Sequence, residues 1–179
     1  MLLRRALLPV LMLALVAAPL SGATAPAAAA YDPHYTWSDN PSPVVLLLPE
    51  RMVRLRPTTF CWEAPSEPAP GGSIGTSRCV DGAEPSRARL ADVERTGKIR
   101  FWFGRPGWRW SARLTSFSHP RRDACTSRIR PVRVSAQRFD LAPPALRGTY
   151  RVRMTGRGPE GDMVVSFSWR YGRTPGRCS

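Results

Sequence analysis

Lys98-Ile99-Arg100-Phe101-Trp102-Phe103, then Gly104-Arg105-Pro106-Gly107, then Trp108-Arg109-Trp110-Ser111-Ala112-Arg113-Leu114 is the stretch that decides how this chain folds. Bulky apolar side chains fall on every other residue either side of a turn-forming tetrapeptide, which is the period of a strand with one buried face. The pattern predicts a hairpin with a four-residue loop. With Phe103 opposite Trp108, Phe101 faces Trp110 and Ile99 faces Ala112 on one side of the ribbon. Trp102 with Arg109, Arg100 with Ser111 and Lys98 with Arg113 take the other side. A slip of one residue would push arginines into the core, so the register is strongly specified.

A second ribbon follows the same logic. Thr149 to Thr155 and Asp162 to Trp169 flank the glycine-rich segment Gly156 to Gly161. Pairing Met154 with Met163 sets Val152 against Val165 and Tyr150 against Phe167, leaving Arg151, Arg153, Val164 and Ser166 outside. Val44 to Leu48, Met52 to Leu55, Pro131 to Val134 and Phe139 to Leu141 supply further short strands. Pro65 to Gly75, with three prolines and three glycines, reads as an irregular loop. Ala83 to Glu94 is the one weakly helical stretch, with only Leu90 and Val93 as apolar positions. Many short strands, close turns and almost no helical periodicity predict an all-β sandwich of about seven short antiparallel strands.

The segment Pro144-Ala145-Leu146-Arg147-Gly148-Thr149-Tyr150-Arg151-Val152 resembles the entry to a late strand in bacterial immunoglobulin-like domains, where a tyrosine packs at a strand corner. Arg100 to Phe103, Pro106-Gly107-Trp108, Cys79-Val80-Asp81-Gly82 and Gly161-Asp162 before Phe167-x-Trp169 are similar to motifs in a group of uncharacterised exported actinobacterial proteins. The likeness spans Leu55 to Trp169. It implies an immunoglobulin-like β-sandwich and carries no activity over to this chain; because no cysteine lies in the Tyr150 strand, the cross-sheet bridge usual in antibody domains is expected to be absent.

The N-terminus addresses the protein outward. Arg4 and Arg5 precede an apolar run, Ala6 to Leu20, and a small-residue tail ends in Ala28-Ala29-Ala30, the order of a cleaved secretory signal peptide. The run holds Pro9 and is shorter than the roughly 20 residues that cross a bilayer. Arg4-Arg5 also touches the twin-arginine export pattern, with Leu3 in place of the usual Ser or Thr. Three segments are expected: signal peptide 1–30, a flexible proline-punctuated arm 31–42, and one domain 43–179. No transmembrane segment is expected after cleavage, and the protein is assigned to the cell envelope or the extracellular space.

Basic residues number 27 against 13 acidic, with Lys98 the only lysine. This charge suits an anionic envelope polymer or protein partner rather than a specific nucleic acid; codon bias and solubility explain it equally well. In an oxidising compartment, Cys61, Cys79, Cys125 and Cys178 are read as two disulfides. Of the three possible arrangements, Cys61 with Cys79 would close the Pro/Gly loop and Cys125 with Cys178 would fasten the C-terminal tail.

Catalytic constellations are sparse. His34 lies in the expected arm and His119 precedes Pro120 in a basic loop, with no nearby carboxylate pattern and no Gly-x-Ser-x-Gly elbow. Glu160 and Asp162 share a turn without calcium-loop spacing. No metal or cofactor is expected, and no catalytic residue is assigned. The candidate binding face is Arg100, Trp102, Arg109 and Arg113 on the outer side of the first ribbon, an aromatic platform among cations. The competing reading has Trp102 covered by the arm or a loop and the arginines merely solvated, as for the row Arg147, Arg151, Arg153 and Arg157. The chain is thus read as a secreted, non-catalytic interaction module; the alternative is a secreted hydrolase whose active site has no recognised motif.

Overall fold

The computed structural model describes residues 41–63, 67–94 and 97–179; the expected signal peptide and residues 31–40 of the expected arm lie outside them. The strands in chain order are β1 (Val44–Leu47), β2 (Met52–Leu55), β3 (Thr59–Glu63), β4 (Glu67–Ala69), β5 (Gly72–Ile74), β6 (Ser77–Asp81) and β7 (Ala91–Glu94). They continue with β8 (Ile99–Trp102), β9 (Arg109–Ser116), β10 (Thr126–Ile129), β11 (Val132–Arg133), β12 (Arg138–Leu141), β13 (Gly148–Gly158) and β14 (Gly161–Tyr171). Arg87–Arg89 and Asp123–Cys125 form single 3-10 turns, and the described residues contain no α-helix.

Two main sheets take all of these strands except β4 and β5, which pair only with each other. The smaller has the order β11-β12-β8-β1-β2, and the larger β10-β9-β13-β14-β3-β6 with β7 parallel to β14 over Phe167–Arg170. All other pairings are antiparallel. Val44, Leu46, Phe101 and Phe139 of the smaller sheet and Trp110, Leu114, Val152 and Phe167 of the larger belong to one buried cluster. The protein is a β-sandwich. Each such side chain contributes about 1.5–3 kcal/mol by leaving water.

The expected hairpin at Lys98–Leu114 does not form. β8 pairs with β1 and β12, whereas β9 pairs with β10 and β13. Gly104–Gly107 therefore carries the chain from one sheet to the other. Phe101 does meet Trp110, at 5.5 Å between ring centroids, and Phe103 meets Trp108 at 4.8 Å, but across the gap between layers. Alternation fixes which side chains turn inward; it does not say whether the facing residues share a sheet.

The second expected hairpin does form, two residues out of the predicted register. Met154 lies opposite Val165, Val152 opposite Phe167 and Tyr150 opposite Trp169. The strands run on to Gly158 and Gly161, leaving Pro159-Glu160 as the turn, with Gly161 at φ 125°. An even shift keeps every side chain on its predicted face. The glycines read as loop are strand residues because indoles need their space: a Cβ on Gly156 would lie 2.6 Å from the Trp110 ring, and one on Gly158 would lie 2.3 Å from Trp108.

Two local expectations are corrected. Ala83–Glu94 contains the 3-10 turn and then β7, since its apolar positions are too few to bury a helix face. Within Pro65–Gly75, β4 and β5 pair as a minimal hairpin between Cys61 and Cys79. The strands exceed the seven expected because the segment between β1 and β8 adds edges to both sheets.

Both disulfides follow the favoured pairing. Cys61 and Cys79 are bonded directly across β3 and β6, and Cys125 is bonded to Cys178. Closing a loop across 53 residues restricts the unfolded chain by about 4 kcal/mol in the entropic account. The fastened tail also accepts a hydrogen bond at its Cys178 carbonyl from Ser116 Oγ, at 2.6 Å.

Candidate functional site

The four residues of the expected binding face do not share a surface. Arg100 and Trp102 stand on the outer side of the smaller sheet, while Arg109 and Arg113 stand on the outer side of the larger. Trp102 is only 2% exposed, in a row between Val45 on β1, itself fully buried, and Arg138 on β12. It offers no platform. Arg100 is committed: its Nε donates to Asp140 Oδ1 at 2.8 Å and its Nη2 to Oδ2 at 3.2 Å, and Lys98 Nζ adds a contact at 2.8 Å. These hydrogen bonds and charges hold the Asp140 carboxyl below the usual carboxylate range and raise Arg100.

The larger sheet holds a different site. On its outer face Arg109 of β9 lies directly opposite Arg157 of β13. Four residue pairs further along, Arg128 of β10, Arg113 of β9 and Arg153 of β13 form a row of three. All five are exposed, and none of their side chains makes a hydrogen bond or ion pair with another described residue. Ser111 and Thr155 lie opposite each other between the two rows. Like charges opposed across strands destabilise a sheet, so the fold carries this arrangement at a cost.

The rest of the face is neutralised or covered. Arg151 donates to the Pro85 carbonyl at 2.9 Å and lies 3.4 Å from Glu84, which also accepts from Ser166 Oγ at 3.4 Å. Arg87 and Arg151 both stack on Phe117. The segment between β6 and β7 is thereby strapped over that end of the sheet, and Ser166 and Ser168 are buried. Arg170 pairs with Glu94 at 3.2 Å. The five arginines therefore stand apart from their own sheet's remaining cations.

A depression of about 590 Å³ opens beside the first row, where Trp108, Trp110 and Phe139 meet Arg109, Arg130 and Arg157. A second of about 430 Å³ lies between Arg113, Arg128 and Arg153. No acidic side chain lines either. Arg133 donates to the Trp108 carbonyl and lies over the Phe139 ring, closing one wall of the first. Trp108 is held by Glu160, which accepts its indole N–H at 2.6 Å; this is what one half of the Glu160–Asp162 turn does.

Sequence reasoning found Arg109 and Arg113 and treated Arg153 and Arg157 as a separate row, but missed Arg128 and Arg130. The signal was the alternation Thr126-Ser127-Arg128-Ile129-Arg130; what was lacking was knowledge that β10, β9 and β13 are neighbours. His119 is exposed, and its imidazole bonds to no described side chain, while His34 lies outside the described residues. Among the described residues no cluster of His, Cys, Asp or Glu is grouped to hold a metal, and no helix is long and apolar enough to cross a membrane. The chain matches no protein-family model and no curated protein.

Proposed function

We propose that the protein is an exported, non-catalytic immunoglobulin-like module that binds an anionic partner in the cell envelope or outside the cell, through the arginine face of its larger sheet. The carrying observation is the pair of unneutralised arginine rows: five guanidiniums opposed across β10, β9 and β13 with no anion of the described protein bonded to them. An anionic partner supplies the missing counter-charge and relieves the repulsion. Arginine forks suit carboxylate and phosphate oxygens geometrically.

The immunoglobulin-like reading is supported by strand order. Setting aside the insertion β2 to β7, the smaller sheet runs β11-β12-β8-β1 and the larger β10-β9-β13-β14. Labelled A to G in chain order, with β10 as C′, these are D-E-B-A and C′-C-F-G, the order of immunoglobulin sheets. Tyr150, at the start of the F-like strand, donates from its hydroxyl to the Leu146 carbonyl at 2.7 Å, as the tyrosine of a strand corner does. Export is supported by the N-terminal pattern and the two disulfides.

The test is retention on purified cell walls across a salt series. Arg113→Thr/Arg153→Thr is expected to elute at lower salt than the unaltered protein, because fewer phosphates or carboxylates are neutralised and fewer counterions released. Arg170→Thr, whose partner is Glu94, is expected to elute unchanged. Equal retention of all three folded proteins would refute this surface.

A further inference from the structure

Resting on that reading, we propose that the arginine face takes one extended, hydroxylated phosphodiester chain laid along β9, with phosphates at both guanidinium rows and the polyol spacer over Ser111 and Thr155. Three observations lead there.

The first is spacing. Arg109 and Arg113 are four residues apart on one strand, so the rows are about 14 Å apart at about 3.4 Å per residue. The two depressions meet at Ser111 and Thr155, which line both. A compact anion reaches one row, whereas an extended chain reaches both and crosses hydroxyls between them. On the far flank, Asp81 borders a small depression beside Arg153 and disfavours a polyanion on that side, while Glu84 in the same depression is already paired with Arg151.

The second is convergence. Guanidiniums approach each row from two strands or three. A phosphodiester, like a carboxylate, carries its charge on two oxygens, but its tetrahedral phosphorus adds two ester oxygens outside their plane as weaker acceptors for forks arriving from other sides, whereas a carboxylate's two oxygens lie in one plane.

The third is the open edge of β9. β10 last pairs with it at Ile129 opposite Ala112, after which Arg130-Pro131 lead to β11 in the other sheet. Main-chain groups of alternate residues point to opposite edges of a strand. The Trp108 carbonyl accepts from Arg133 on the open side, and the Phe117 N–H donates to Thr149 on the β13 side. Trp110 shares the parity of Trp108, so its N–H and C=O face the open edge within the first depression. An anionic oxygen can take that N–H, but only a donor, such as a chain hydroxyl, can satisfy the carbonyl. Polyol phosphate carries both groups.

The experiment is calorimetric titration of the oxidised protein with glycerol 1-phosphate, with short and long poly(glycerol phosphate), and with polyglutamate and duplex DNA as competitors of different chemistry. Joining two subsites on one ligand is expected to raise affinity about 10²- to 10⁴-fold per phosphate over the monomer. Arg109→Thr/Arg157→Thr and Arg113→Thr/Arg153→Thr are each expected to return the long polymer to near-monomer affinity, and polyglutamate to bind more weakly than poly(glycerol phosphate). Affinity independent of chain length, or equal affinity for polyglutamate or duplex DNA, would overturn the proposal. If length dependence is absent yet the row variants still lose cell-wall retention, this inference alone fails. If wall retention is unchanged, the functional reading fails with it.

Discussion

Arg113→Thr is expected to make the free protein more stable. Arg113 stands directly opposite Arg128 on one side and Arg153 on the other, and none of the three has a bonded anion among the described residues. Each like-charge opposition across strands costs about 0.2–1 kcal/mol, and the substitution removes two. Threonine keeps strand propensity, while loss of the arginine stem returns some apolar packing to water. The net gain is about 0.5–1 kcal/mol at low ionic strength, and for a chain of this size it raises Tm by about 1–4 °C. Thermal unfolding by circular dichroism, with disulfides kept oxidised, reads this directly. The gain is expected to shrink between about 10 mM and about 0.5 M NaCl, as the screening length falls below the spacing of the charges. In a background where Arg128 and Arg153 are already threonine, Arg113→Thr is expected to stabilise no further. A variant no more stable than the parent at low salt, or a gain that ignores salt, refutes the view that these arginines repel one another uncompensated.

Gly158→Ala is expected to destabilise by about 1–3 kcal/mol, because the new Cβ would lie 2.3 Å from a buried indole that cannot leave without releasing Glu160; chemical denaturation and Trp108 fluorescence report it. Asp140→Asn is expected to cost about 1–2 kcal/mol near neutral pH by leaving Lys98 and Arg100 without their anion. Because the folded protein holds the Asp140 carboxyl below its unfolded value, the parent keeps this stabilisation above the ordinary carboxylate range and loses it as pH falls through the lowered value. The difference between parent and variant is therefore expected to close in acid, as followed by Tm against pH.

Period-two alternation was enough to turn Phe101, Trp110, Val152 and Phe167 inward, and all four are buried. It could not choose their partners. Phe101 and Trp110 touch whether their strands form a ribbon or face each other across a core, and only the competing pairings of β8 with β1 and β12 separate the cases. That ambiguity is what misplaced the site. Treated as one ribbon, Trp102 and Arg109 became neighbours; in two sheets they lie on opposite outer faces, and Arg109 gains Arg157 instead. The β13–β14 register slipped for a related reason: Gly156 and Gly158 look like turn residues until the indoles of Trp110 and Trp108 are seen to fill their places. The cysteine pairing was more legible, since one bridge spans a local Pro/Gly loop and the other ties down a tail.

Arginine side-chain nitrogen NMR, following each Nε–Hε signal during addition of long poly(glycerol phosphate), tests the binding face most directly. Signals of Arg109, Arg113, Arg128, Arg153 and Arg157 are expected to shift together and saturate at one ligand concentration, while Arg100, held by Asp140, and Arg170, held by Glu94, stay in place. Shifts centred on Arg100 and the smaller sheet, or spread evenly over all arginines, would contradict it.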